Sequence, residues 1–316
     1  MSQVGHQRRA APSRLRPSGV IGDPWPPQTV TDFIREMRDQ RVQGDGVDLW
    51  CIEWHPFRSD GSRPVLLLHG MSSNALFWGR VAAELSHRRV LALDLRGHGR
   101  SDRPGSGYTV EAMAADVAHA LRGLALDGVM VGHSWGVPVA LRLAAVEPTL
   151  VSRLVLVDGP IASLAGRMSL EEADREMRPP ARCYRSPEEI EVDTRRFLRE
   201  AWGDDLREFA RASFTWTPQG WCPVLPEAGR MEMVRSLHAF QPEPLLEGLA
   251  MPTLIVMASD ASDGVAPGVL GWWRSQAEMA AARCRWGEAR RHDSGHDIPL
   301  IRPAQLAADI DRTGVA

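Results

Sequence analysis

Five short runs constrain this chain more than anything else in it: PVLLLHG (64–70), RVLALDLRGHGRSD (89–102), GVMVGHSWG (128–136), RLVLVDG (153–159) and PTLIVMAS (252–259). Each begins with apolar residues at consecutive positions, where a half-exposed strand would alternate. Strands of that kind are covered on both faces, which is the condition of a parallel sheet. Between them the apolar residues recur with helical period, in NALFWGRVAAELSH, TVEAMAADVAHALRGL, VPVALRLAAV, GWWRSQAEMAAARC and AQLAADIDR. Ahead of the first run, Val42 to Trp54 reads as a hairpin turning at GDG. The alternation predicts an α/β fold, a doubly wound and mostly parallel sheet. Ligands in such sheets sit at the carboxyl ends of the strands, so the chemistry is to be sought just after each run.

One interval breaks the rhythm. From Pro160 to about Leu249 there is no strong strand signal, and the segment reads as helical, rich in arginine and acid. Such a length between two strands is too long for a connecting loop. It predicts an inserted helical cap over 160–249, with the α/β core formed by 29–159 and 250–316. Residues 1–28, rich in proline and arginine, read as a disordered arm.

Composition excludes several function classes. The 316 residues are 44% hydrophobic and 24% charged with a net charge of −3, which is ordinary for a globular protein and gives no footprint for nucleic acid. All 37 basic residues are arginine, so lysine Schiff-base chemistry is closed to this chain. Cys51, Cys183, Cys222 and Cys284 are scattered without CxxC spacing, which predicts neither a disulfide framework nor a zinc site. With no long apolar run and no apolar stretch near the N-terminus, the expectation is a cytoplasmic protein with no membrane partner, no cofactor and no metal. The expected partner is a small-molecule substrate, and the oligomeric state is not legible.

The chemistry gathers at Ser134. A buried strand that turns at once into a helix forces its corner residue into a strained conformation. Gly132 and Gly136 remove side chains that would collide there, and the helix N-terminus behind the serine favours a developing anion. RGHGRSD, by contrast, lacks the spacing and the lysine of a phosphate loop and reads as a tight turn.

LLLHG, LDLRGHGRSD, GHSWG, LVLVD, PTLIV and GHDIPLIRP follow one another in an order that resembles the α/β-hydrolase fold family, over roughly residues 40 to 312. The resemblance implies a Ser–acid–His triad in that chain order. Ser134 matches the nucleophile, which excludes the dehalogenase and epoxide-hydrolase branches that use aspartate there. His296 matches the base. His69 and His98 sit in turn motifs, His133 is read as pointing away from the nucleophile, and His292 as peripheral. The acid is less regular, because ASDASDGVAP departs from the family's pattern after the PTLIVMA strand. Counting from the strand lands on Ala261, between two aspartates, and counting back from Pro267 gives Asp263, which stands first, with Asp260 second and Asp158, after the RLVLV strand, third. The resemblance also implies an oxyanion hole from the backbone amides of Met71 and Trp135.

Of the interval's aromatic residues, Trp202, Phe214, Trp216 and Trp221 are candidates for an apolar substrate pocket. Trp272 and Trp273 read as helix packing, and Glu171 and Glu172 as a solvated face. The reading that follows is a serine hydrolase acting on a small, largely apolar ester, thioester or lactone. The alternatives are a C–C bond hydrolase or aminopeptidase, a non-hydrolytic cyclase or lyase on the same fold, and a catalytically silent binding protein.

Overall fold

The computed structural model describes residues 34–56, 60–177, 182–259 and 267–312. The arm at 1–28 and the aspartates Asp260 and Asp263 lie outside the described residues. The chain opens with β1 (Ile34–Gln43), β2 (Asp48–Pro56), β3 (Val65–Leu68), β4 (Val90–Asp94), β5 (Gly128–His133) and β6 (Val151–Val157). A separate hairpin, β7 (Phe214–Thr217) and β8 (Gly220–Pro223), comes next, followed by β9 (Thr253–Ala258) and β10 (Gly287–His292). Eight of these strands form one sheet in the order β1-β2-β4-β3-β5-β6-β9-β10. The β1–β2 and β2–β4 pairs are antiparallel and the rest are parallel.

The continuous apolar runs are explained by two cores, one on each face. Leu66, Leu68, Leu91, Leu93, Met130, Ile255 and Met257 point into one. Their neighbours Val65, Leu67, Val90, Ala92, Val129, Val131, Leu254 and Val256 point into the other. Side chains alternate across a strand, so burial on both sides requires an apolar residue at every position.

The helices ahead of the insertion are α1 (Gly79–Glu84), α2 (Val110–Gly123) and α3 (Gly136–Val146). Thr109 caps α2 by accepting from the Ala112 amide. Between β6 and β9 lie α4 (Leu170–Met177), α5 (Pro187–Leu198), α6 (Arg207–Ala212), α7 (Glu227–Ala239) and α8 (Pro242–Glu247). The chain then runs through α9 (Pro267–Ser275), α10 (Ala277–Arg283), α11 (Ile298–Ile301) and α12 (Pro303–Asp311). Helices α2, α3, α9 and α10 supply one core, and α1, α11 and α12 the other.

Two expectations are corrected, and one strand without a signal in the sequence is added. The interval 160–249 is not purely helical, because β7 and β8 pair within it, turning at Gly220 with φ of 110°. Strands of four residues carry too little pattern to stand out from a helical background. Cys183 and Cys222 form a disulfide, although 39 residues separate them. An antiparallel bridge between Tyr184 and Trp221, with both backbone hydrogen bonds at 2.8 Å, sets the two cysteines side by side, a juxtaposition that spacing cannot show. Finally, β10 reads GEARRH and carries no apolar signal. It is an edge strand, where charge is tolerated, and Arg290 pairs with Glu288 and Asp309 while Arg291 pairs with Glu278.

Candidate active site

Ser134 stands at the corner between β5 and α3 with φ of +52°, a conformation rare for a residue with a side chain. It is held there by its amide, which donates to the Val157 carbonyl at 3.0 Å, and by its own carbonyl, which accepts from Val137 at 3.0 Å. Close approach explains the neighbouring glycines. A Cβ at Gly132 would strike the Gly136 carbonyl oxygen, one at Gly136 the Leu68 carbonyl oxygen, and one at Gly159 would lie 2.6 Å from the Ser134 carbonyl oxygen. The corner is therefore crowded from β3, β6 and α3 together, and Ser134 is left facing a cavity.

His296 lies in the loop between β10 and α11 and faces the same cavity. Its Nδ1 is 2.7 Å from Oδ2 of Asp158, which directly follows β6. Asp158 is fully buried and its carboxylate is densely hydrogen-bonded. Oδ1 accepts from the Ala258 amide at 3.0 Å and from Arg274 Nε at 3.0 Å, and Oδ2 accepts from Arg274 Nη2 at 2.7 Å. Burial by itself would raise its pKa, but the hydrogen bonds and charges of His296 and Arg274 outweigh burial and hold the carboxyl well below the usual range.

The acid on His296 among the described residues is thus the third-ranked candidate of the sequence reading. Asp263 and Asp260, which the sequence ranks ahead of it, lie outside the described residues. The signal for Asp158 is present in LVLVDG, where an acid follows the apolar run directly. Arg274, from GWWRS on α9, carries no signal of its own, because a buried arginine is indistinguishable in sequence from a solvated one.

Met71 and Trp135 flank the serine, and both line the cavity. Among the described residues, neither backbone amide donates to a carbonyl. The Met71 loop is braced by His69, whose Nδ1 donates to the Gly70 carbonyl at 2.8 Å while its Nε2 accepts from the Leu95 amide at 3.0 Å. Burial keeps that imidazole neutral by pushing its pKa well down. Beyond it, Asn74 reaches into the insertion, donating to the Phe209 carbonyl and Ser213 Oγ, both at 2.9 Å. Arg80 on α1 clamps Asp205 through Nε and Nη2 and donates to the carbonyls of Ala201 and Leu300.

The cavity measures about 490 Å³. Its walls are mostly apolar, with Phe77, Phe197, Phe209, Phe214, Leu270 and Trp273 prominent. Of the four predicted pocket residues only Phe214 lines it. Trp202 packs against the core on the α1 side of the sheet. Trp216 is 63% exposed on the outer hairpin, with its ring against Trp221. Trp273, read as packing, does line the cavity and donates to the Ala162 carbonyl at 3.0 Å. His133, read as pointing away, lines the cavity and hydrogen-bonds to the backbone of His296. Among the described residues no group of three or more His, Cys, Asp or Glu could hold a metal ion, and no helix is long and apolar enough to cross a membrane.

Residues 65–309 match the family model described as the alpha/beta hydrolase family. Lipase LipV of Mycobacterium tuberculosis is 31% identical over 274 residues, covering 82% of this chain and 97% of that one. An uncharacterized protein of the same organism is 45% identical over 104 residues, which is 32% of this chain but only 30% of that relative's length. Among solved structures, a thioesterase domain from the curacin biosynthetic pathway superposes with a TM-score of 0.68 at 19% identity, covering 87% of this chain and 99% of that one.

Proposed function

Because the chain belongs to the alpha/beta hydrolase family, we propose that it is a serine hydrolase cleaving a small, largely apolar carboxylic ester, thioester or lactone, with Ser134, His296 and Asp158 as its triad. The observation that carries this reading is that Ser134, strained at its corner, and His296, held on a buried carboxylate, face one cavity.

A serine hydroxyl needs a base to become a nucleophile. Asp158 accepts from Nδ1–H of His296, which leaves Nε2 with the lone pair that takes the serine proton. Ser134 Oγ then attacks the carbonyl carbon, and the amides of Met71 and Trp135 receive the oxyanion. His296 returns the proton to the leaving group. A water deprotonated by His296 releases the acyl group and restores the serine. Asp158 stays ionised throughout and offsets the charge of the imidazolium.

The insertion acts as a cap. It supplies Phe197, Phe209 and Phe214 to a cavity of a size suited to a small ligand, which supports an apolar acyl or alcohol portion. A fluorophosphonate probe tests the reading. Labelling of the wild type that is lost in Ser134→Ala and His296→Ala is the expected result. A wild type that takes no label sinks it. p-Nitrophenyl esters of increasing acyl length would then locate the preferred chain.

A further inference from the structure

His133 precedes the nucleophile in the chain and is 3% exposed. Its Nε2 lies 2.9 Å from the carbonyl oxygen of His296. A carbonyl only accepts, so Nε2 carries the proton and donates it. Nδ1 is then the bare nitrogen of a neutral imidazole, and it is buried with no hydrogen-bond partner among the described residues. The ring stacks on Phe77 with centroids 5.0 Å apart, meets Trp78 edge-on, and lies 4.7 Å from the His296 ring.

The His296 carbonyl also accepts from the Ile298 amide at 2.9 Å, which is local to its own loop. The His133 bond is different in kind, because it runs from the residue beside Ser134 to the residue that bears the base. The loop carrying His296 comes from the far end of the chain, and its side chain is held at Nδ1 by Asp158. A tie from the nucleophile strand to the backbone of His296 limits how far that loop can rock relative to Ser134. Reaction rates are steep in such displacements, since a shift of about 1 Å can cost on the order of 100-fold.

We propose that His133 is a positioning residue for the base: its Nε2–H bond to the His296 carbonyl sets the backbone of His296 against the nucleophile strand. This rests on the triad reading above. The role requires a neutral ring. Burial, together with the neighbouring His296 and against the hydrogen bond it donates and the charge of Asp158, pushes the His133 pKa down to about 3, so the donor persists over the working range. The titratable groups facing it among the described residues are His296, Asp158 and, beyond Gly70, His69.

The test compares full-length wild type, His133→Phe and His133→Gln. Phenylalanine keeps the stacking on Phe77 and removes the donor, while glutamine restores an N–H near the position of Nε2. In His133→Phe, kcat for a p-nitrophenyl ester and the fluorophosphonate labelling rate should fall about 10- to 100-fold with KM within about twofold. His133→Gln should recover most of the loss. Wild-type kcat in His133→Phe, or a glutamine variant no faster than the phenylalanine one at equal melting temperature, overturns the proposal. Should His133→Phe not fold, 15N-histidine spectra of the wild type decide. A ring with Nε2 protonated and Nδ1 bare from pH 5 to 9 is expected, and an Nδ1–H tautomer or a titration in that range overturns it. A wild type that takes no fluorophosphonate label removes the triad reading itself, whereas a labelled wild type with unaffected variants removes this proposal alone.

Discussion

His296 Nδ1 and Arg274 Nη2 each lie 2.7 Å from the same oxygen, Oδ2 of Asp158, so one buried carboxylate serves both an imidazole and a guanidinium. The arginine satisfies the charge that burial would otherwise make costly, and the imidazole takes its orientation from what remains. Asp158→Asn should reduce kcat by about 10³- to 10⁴-fold, because an amide can stabilise the wrong tautomer of His296. Asp263→Asn and Asp260→Asn should each stay within about threefold of wild type on the same ester assay, a margin well below the effect of losing a triad member. A large loss in either of these, with Asp158→Asn active, would move the acid to Asp260 or Asp263.

The same carboxylate predicts a pH dependence. Its folded pKa lies below the ordinary value, so its contribution to stability is present above the unfolded pKa of about 3.9 and is lost as pH falls through the folded value. Between pH 5 and 8 Asp158 therefore does not titrate. The carboxyl carbon of Asp158 should keep a constant 13C shift across that range, and a titration of that signal above pH 4 would mean that the acid gains a proton there. Arg274→Gln removes one of the two groups holding that pKa down, so the folded and unfolded values move closer together, and this variant should melt lower than wild type at neutral pH but show a smaller further fall in acid.

The glycines around Ser134 separate packing from chemistry. A Cβ at Gly70 would lie 3.0 Å from Ser134 Cβ and 3.4 Å from its Oγ, so the serine must give by a few tenths of an ångström. Gly70→Ala should keep a melting temperature near wild type and lose about 10- to 100-fold in kcat/KM, since the nucleophile is displaced. Gly132→Ala meets the backbone carbonyl of Gly136, which has nowhere to go. That variant should lose about 3 kcal/mol or more of stability, measured by denaturant unfolding.

What the sequence discloses here follows from what each residue does in space. The central strands are legible because burial on both faces leaves no position free for a polar residue, and Ser134 is legible because two of the glycines that its corner demands, Gly132 and Gly136, stand two residues either side of it. The edge strand β10 is not, since its arginines meet acids from other elements, Asp309 on α12 and Glu278 on α10. Nor is the partner of His296. Asp158 and Asp263 both follow apolar strands, and the choice between them depends on how α9 and the loop after β10 fold back over the sheet. The cavity aromatics fail for a related reason. Trp216 and Phe214 sit two residues apart on one four-residue strand, and only the placement of the hairpin decides that Phe214 reaches the cavity and Trp216 stays outside.

The Cys183–Cys222 disulfide gives a test of how firmly the insertion is held. It joins the segment ahead of α5 to β8, and α5 and β7 carry Thr194, Phe197, Leu198 and Phe214 on the cavity wall. For a loop of this separation the chain-entropy estimate is about 4 kcal/mol, or a fall of roughly 10 °C in melting temperature on reduction. Cys51 and Cys284 are buried, with thiol pKa values pushed up to about 12 and about 11, so they should not react in the folded protein. Thiol titration should therefore find no accessible thiol in the native protein and two after mild reduction. The double variant Cys183→Ser/Cys222→Ser should melt near the reduced wild type and no longer respond to reductant. Loosening of α5 and the hairpin alters the walls of the cavity without moving Ser134, His296 or Asp158, so KM should rise more than kcat falls. A reductant-sensitive kcat at constant KM would instead place the effect at the triad.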